Sequence, residues 1–138
     1  MDFARCTEET KNKIVTASEN RMTLILSNPM KRVIKKVLVD GCLIDDHRER
    51  CDYLFEIDET SSIIYLELKG CGVDKAASQL AATVRHCRTR HKSKTKCCYI
   101  IASRVPRSGP KIQVLKKAFM QNHKVPLTVK NRKAEICV

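Results

Sequence analysis

Asp52, Glu67 and Lys69 have the side chains of this sequence best suited to chemistry. They sit in Arg50-Cys51-Asp52-Tyr53-Leu54 and Leu66-Glu67-Leu68-Lys69-Gly70, two short apolar segments that would need no such side chains merely to fill a core. Two carboxylates brought together repel, and a bound dication relieves that repulsion. Magnesium is a hard cation that prefers carboxylate, carbonyl and water oxygens and takes only one or two carboxylates from a protein. Held beside a phosphodiester, it polarises a phosphoryl oxygen and lowers the pKa of a bound water. A neighbouring lysine can orient that water and stabilise charge developing on the phosphate. The alternative is an exposed cross-strand Asp–Lys pair with a solvated Glu beside it, an arrangement that contributes little.

The segments that carry these residues have strand periodicity. Cys51, Tyr53, Phe55 and Ile57 alternate with Asp52, Leu54 and Glu56, and Ile64, Leu66 and Leu68 alternate with Ile63, Tyr65, Glu67 and Lys69. Asp58 to Ser62 between them is polar and short enough to turn a hairpin. A four-residue loop over Glu59–Ser62 pairs Asp58 with Ile63, and paired numbers then sum to 121. That register sets Asp52 opposite Lys69 and Leu54 opposite Glu67, so the three polar residues share one face. A slip of one residue would separate them.

A helix follows. Val73, Ala76, Ala77, Leu80, Ala81, Val84 and Cys87 form one apolar stripe at helical spacing. Gly70 and Gly72 interrupt the strand before it, and Asp74 can cap its start or favour its dipole. The small alanines would let it lie close against a sheet. Gln79 sits at the edge of the stripe, one turn from Thr83.

Aspartate, about fifteen residues, then Glu-x-Lys ending an apolar strand resembles the PD-(D/E)xK phosphodiesterase superfamily, the restriction-endonuclease-like nucleases. Asp52 supplies the first half of the motif and Glu67-Leu68-Lys69 the second. Val37 to Val84 carries most of the likeness: a strand over Val37–Ile44, a strand with Asp52, a strand with Glu67 and Lys69, then the helix. Cys51 stands where the name of the motif has proline. The resemblance implies an α/β restriction-endonuclease-like αβββαβ core with a central mixed sheet flanked by helices. It also implies Mg2+- or Mn2+-dependent cleavage of nucleic acid, with Asp52 and Glu67 as metal ligands and the Leu68 carbonyl as a further one. Lys69 would position the attacking water. Some members carry a glutamine on this helix facing the site, often with a tyrosine four residues on. Gln79 is the corresponding candidate for touching the substrate backbone or metal-bound water, with Thr83 in place of the tyrosine; the alternative is a polar boundary residue. Others carry an acid on the first helix, for which Glu19 leads Glu8 and Glu9, though surface positions suit all three.

Charge favours a polyanionic partner. The chain of 138 residues carries a net charge of +12, distributed very unevenly. Residues 75–138 hold sixteen Lys and Arg against a single acid, Glu135, whereas residues 1–74 hold eleven against fourteen acids. Arg85, Arg88, Arg90, Lys92, Lys94 and Lys96, with His86 and His91 among them, form the densest stretch and are the expected nucleic-acid-binding residues. No long basic amphipathic helix or lipidation motif points to a membrane. With 4% aromatics and no Trp, a stacking platform for single strands is not indicated.

Further along, Cys97 to Ala102 predicts a buried fourth strand, Arg104–Pro110 a loop, Lys111–His123 a second outer helix, and Val125–Val129 an edge strand. The tail Lys130–Val138 is expected to be loosely held, and Asp2–Leu26 helical in parts. Length allows one domain over 1–138, with a core at about 37–102 and a basic extension over 103–138. No hydrophobic leader or membrane-spanning run appears, and the expected compartment is the cytoplasm. The eight cysteines then serve as small buried apolar residues, without a CxxC pair. Cys87 with His86 or His91 as zinc ligands, or a nucleophilic Cys–His pair, has no local support.

The sequence thus points to a metal-dependent nuclease, a hydrolase of the endonuclease kind acting on DNA rather than RNA. By resemblance its setting would be bacterial or phage defence, restriction or repair. A solitary site on so small a chain calls for a homodimer or a larger protein partner if both strands are cut. The main rival is a non-catalytic nucleic-acid-binding subunit of a larger assembly that kept the fold. A structural RNA-binding protein of ribosomal type fits the charge but gives no reason for Asp52 and Glu67.

Overall fold

Ser62–Lys69 is apolar on both faces, which suits it to the middle of a sheet covered on both sides. The computed structural model, which describes residues 1–105 and 109–138, places it there. In chain order the elements are α1 (Phe3–Cys6), β1 (Thr7–Thr10), β2 (Ile14–Glu19), β3 (Met22–Ser27), β4 (Ile34–Leu38), β5 (Tyr53–Ile57), β6 (Ser62–Lys69), α2 (Val73–His86), β7 (Thr95–Ala102), α3 (Gly109–His123), β8 (Leu127–Asn131) and β9 (Lys133–Cys137). Six strands form a mixed sheet in the order β1-β4-β5-β6-β7-β8, antiparallel as far as β6 and parallel from β6 to β8. The fold is α/β.

The two faces of the sheet are covered differently. Leu54, Ile63, Tyr65 and Ile100 pack under α2 through Val73, Ala76, Ala77, Leu80 and Ala81, and Phe119 of α3 joins them. On the other face Phe55, Ile64, Leu66 and Leu68 meet no helix. They pack against a second sheet, β2-β3-β9, through Val15, Ala17, Leu24, Leu26 and Ala134. Burying a Leu such as Leu24 or Leu26 stabilises by about 1.5–3 kcal/mol.

Several expectations need correction. Among the described residues, helices flank only one face. The N-terminal region is strand rather than helix, apart from the single turn of α1: Asn20 and Arg21 take positive φ values of 48° and 68° and close a two-residue hairpin between β2 and β3. The tail is not loose, because β9 pairs in parallel with β3 from Thr23↔Lys133 to Ser27↔Cys137. The first core strand ends at Leu38, and residues up to Ile44 form a turn closed by an Asp40↔Ile44 bridge. The edge strand starts at Leu127 rather than Val125. The expected Arg104–Pro110 loop lies partly outside the described residues. Cys6 and Cys42 form a disulfide that ties α1 to the 39–44 turn, so at least this pair is not the reduced thiols expected of a cytoplasmic chain. No described helix is long and apolar enough to cross a membrane.

Glu56, a strand residue with 5% of its side chain exposed, is held by a buried polar chain. The Tyr65 hydroxyl and His91 Nδ1 share a hydrogen bond (2.6 Å), and His91 Nε2 donates to Glu56 Oε2 (2.6 Å). Arg90 completes a fork on both Glu56 oxygens and lies over the Phe3 ring. Burial alone would raise the Glu56 pKa, but the His91 and Arg90 hydrogen bonds outweigh it and hold the carboxyl at about 2. A depressed acid stabilises above its ordinary value of 4.5, and that contribution is lost as pH falls toward 2. Glu56→Ala strands His91 in the core, and breaking a buried pair in this way is expected to cost about 3 kcal/mol in urea denaturation at neutral pH. That cost should shrink as the pH approaches 2.

Candidate active site

The β5–β6 hairpin brings Asp52 and Glu67 together through a register different from the one the sequence suggests. Asp58–Thr60 forms a 3-10 turn and Ser61 adopts a left-handed conformation (φ 51°), so Ile57 pairs with Ser62 and Tyr53 with Leu66. The paired sum is 119, a shift of two residues rather than one. Because side chains alternate with period two, the shift preserves the face and changes only the partner. The ladder ends at Tyr53↔Leu66, so Asp52 stands just before β5 rather than on the strand expected to carry it, and its carboxyl meets that of Glu67 instead of standing opposite Lys69.

Backbone contacts fix the first carboxylate. The Asp52 amide donates to the Leu66 carbonyl (3.1 Å), and its own carbonyl accepts from Val39 (2.9 Å). Its carboxylate Oδ2 accepts from the Leu68 amide (2.8 Å). From the helix, the Thr83 hydroxyl accepts from the Cys51 amide (2.8 Å) and donates to the Gln79 carbonyl (3.1 Å). The Gln79–Thr83 turn of α2 is thereby anchored beside Asp52. Gly72 makes the sharp strand-to-helix junction possible: it caps α2 at φ 80°, where a side chain would be strained.

Electrostatics at the pair are those of two acids competing for one proton. Burial, the Asp52 charge and a hydrogen bond from carboxyl to carboxyl push Glu67 up to about 9, and Lys69, two residues along on the same face, works against the shift. Burial also raises Asp52, opposed by the Leu68 amide; Glu19 and Asp40 add negative potential there. Glu67, 3% exposed, leaves its Oε1 buried without a hydrogen-bond partner, and Gln79 Oε1 is in the same condition. Unsatisfied buried acceptors are costly and call for an explanation.

These residues fit a hard divalent cation. The donors are the carboxylate oxygens of Asp52 and Glu67, of which Glu67 Oε1 has no hydrogen-bond partner. No group of three His, Cys, Asp or Glu able to hold a metal occurs among the described residues. Two carboxylates completed by amide, carbonyl and water oxygens is the habit of magnesium rather than zinc.

The basic residues divide into two groups. Arg90 is engaged with Glu56, and Lys92 is exposed. Arg85, Arg88, Lys94 and Lys96 line a cleft of about 500 Å³ beside the C-terminal end of α2. That cleft lies toward the start of β7, whereas Asp52 and Glu67 lie toward the carboxyl end of β6. Cations that sequence order did not single out stand at the carboxylate end. The Arg104 amide donates to the Gly70 carbonyl (3.1 Å), and the Arg132 amide donates to the Ala102 carbonyl (2.8 Å). The available signal was positional, since ligands of open α/β sheets gather at the carboxyl ends of parallel strands. Glu19 belongs to β2 rather than to a helix, yet its charge is felt at Asp52.

Burial pushes the Cys87 thiol up to about 12 and the Cys97 thiol to about 11, so neither is an activated nucleophile, while Cys71 and Cys137 are exposed free thiols rather than the buried apolar residues expected. Both ring nitrogens of His91 are occupied by Tyr65 and Glu56. Comparison with protein-family models, curated proteins and solved structures finds no match to this chain.

Proposed function

We propose that the chain is a Mg2+- or Mn2+-dependent nuclease of restriction-endonuclease-like fold, hydrolysing phosphodiester bonds in DNA at Asp52, Glu67 and Lys69. The observation that carries this reading is the buried Glu67 carboxyl with its orphaned Oε1, held against the half-buried Asp52 and beside a lysine at the end of a central strand. A core serves no purpose of its own by burying one acid against another, which holds Glu67 protonated at neutral pH.

Asp52 and Glu67 would hold the cation, with Gln79 Oε1 and the Leu68 carbonyl as further oxygens. When bound, the metal supplies Lewis-acid polarisation of the phosphoryl group and a more acidic water. Lys69 orients the attacking water through its amine and donates to the charge that develops on the phosphate. The Leu68 amide fixes one Asp52 oxygen and holds the carboxyl beside that of Glu67. Arg104 and Arg132 would neutralise flanking phosphates.

Occupancy should be coupled to protons. With Glu67 at about 9, a cation arriving at pH 7 displaces one proton. Mg2+ affinity is therefore expected to rise about tenfold per pH unit up to about 9 and then level off. Calorimetry in two buffers of different ionisation enthalpy reads the released proton directly, and no release at pH 7 would contradict the carboxyl-pair site. Without metal the sign for stability is the reverse of that for Glu56. A folded state that keeps the Glu67 proton binds more protons than the unfolded chain between 4.5 and about 9, so its contribution falls as pH rises through that window.

A further inference from the structure

We propose that the cleft between the C-terminal ends of α2 and α3 is a second phosphate-backbone site, gripping the same nucleic-acid strand at a distance from the carboxylates. This rests on the nuclease reading only for the identity of the far point. The cleft is built by Arg85 of α2, Arg88 and Lys94 of the loop that follows it, Lys96 of β7, His123 at the end of α3 and Lys124 just beyond it. No carboxylate lines it. Among the described residues, none of its lysines and arginines takes part in a salt bridge. Some cations elsewhere are paired: Arg48 with Asp46, Arg50 with Asp40, Lys75 with Glu49 and Arg90 with Glu56. Glu49 is near enough to feel Arg85 but spends its oxygens on Ser78 and Lys75.

Five unpaired cations around a cleft of about 500 Å³ repel one another, and the potential falls on His123, whose pKa is lowered by burial and by Arg85. A polyanion relieves that repulsion with gain from released counterions. The strand register gives the spacing. Lys96 pairs with Ile63, four residues before Glu67 on β6, which is roughly 13 Å; Lys94 adds two residues, for roughly 20 Å. At about 3.4 Å per nucleotide along a duplex strand, the two points lie about four to six nucleotides apart.

The consequence is a length step. Binding is measured with chelator present, so that cleavage plays no part, using labelled DNA from about four to about sixteen nucleotides across a salt series. Wild-type affinity should rise sharply once the DNA exceeds about six nucleotides. The Arg88→Ala/Lys94→Ala variant should lose that step, bind the longer DNA about tenfold more weakly, and show a salt slope shallower by about two phosphate contacts. Both residues sit at the surface, and an unchanged melting temperature checks the fold. A smooth rise with length in the wild type, or an unchanged slope in the variant, overturns the proposal. So does loss of binding to phosphatidylserine vesicles with DNA binding intact, which would make the cleft a membrane contact. A protein that shows the step but cuts nothing keeps the cleft and loses the nuclease; one that cuts without a step does the reverse.

Discussion

Lys69→Ala is expected to slow phosphodiester cleavage by about 10²–10³-fold while leaving Mg2+ affinity and DNA affinity close to wild type. Lys69 is half-buried and shares its face with Glu67, and its charge bears on the Glu67 carboxyl. It is not one of the oxygen donors, so the cation keeps its ligands when the amine is gone. A group that acts chiefly on water and developing charge lowers turnover far more than ground-state binding. A small secondary effect is built into the electrostatics: without the Lys69 charge Glu67 rises further, so metal affinity near neutral pH should drop slightly and recover at higher pH. Single-turnover kinetics beside calorimetry would separate the two. If Lys69→Ala weakened metal binding and cleavage in equal proportion, the lysine would be supporting the carboxyl pair rather than the chemistry.

Asp52→Asn should behave differently in kind. An asparagine oxygen can still accept from the Leu68 amide, so the hairpin has no reason to unfold. What disappears is the charge. Metal binding and cleavage are expected to fall together, the latter by about 10³-fold. At the same time the main repulsion on Glu67 is removed, and its pKa should move down from about 9 toward the ordinary carboxylate range. Carboxyl NMR of Glu67 in the variant checks that shift. DNA binding in chelator should tighten, because one negative charge facing the phosphates has gone.

Much of this site was legible in the sequence because its elements are local. The alternation through Tyr53–Ile57 and Ser62–Lys69 defined a hairpin, and the stripe from Val73 to Cys87 defined α2. The register was misjudged because the polar run Asp58–Ser62 offers several loops of equal length. Only the left-handed conformation at Ser61 selects the one with Ile57 opposite Ser62. A slip of two returns the strand side chains to their own faces, and Asp52, just outside the ladder, is held at Glu67 by its bond from the Leu68 amide. The second sheet was the real omission. Met22, Leu24 and Leu26 alternate with Thr23, Ile25 and Ser27, and Asn20 is a residue that accepts positive φ, so the hairpin signal was present. The pairing of β3 with β9 joins residues more than a hundred positions apart, and no local pattern announces it. The basic stretch misled in another way. Contiguity in sequence suggested one surface, but the loop after α2 turns Arg90 inward to Glu56 and leaves Arg88, Lys94 and Lys96 on a cleft away from the carboxylates.

The central claim is that Asp52 and Glu67 form a metal-dependent phosphodiesterase site, and a cleavage assay tests it most directly. Purified wild-type protein and Asp52→Asn are incubated with labelled DNA substrates in Mg2+, in Mn2+ and in chelator. The account predicts cutting by wild type with either metal, none in chelator, and a loss of about 10³-fold in the variant. Binding of DNA without cutting under any metal, or cutting that Asp52→Asn leaves unchanged, would contradict it.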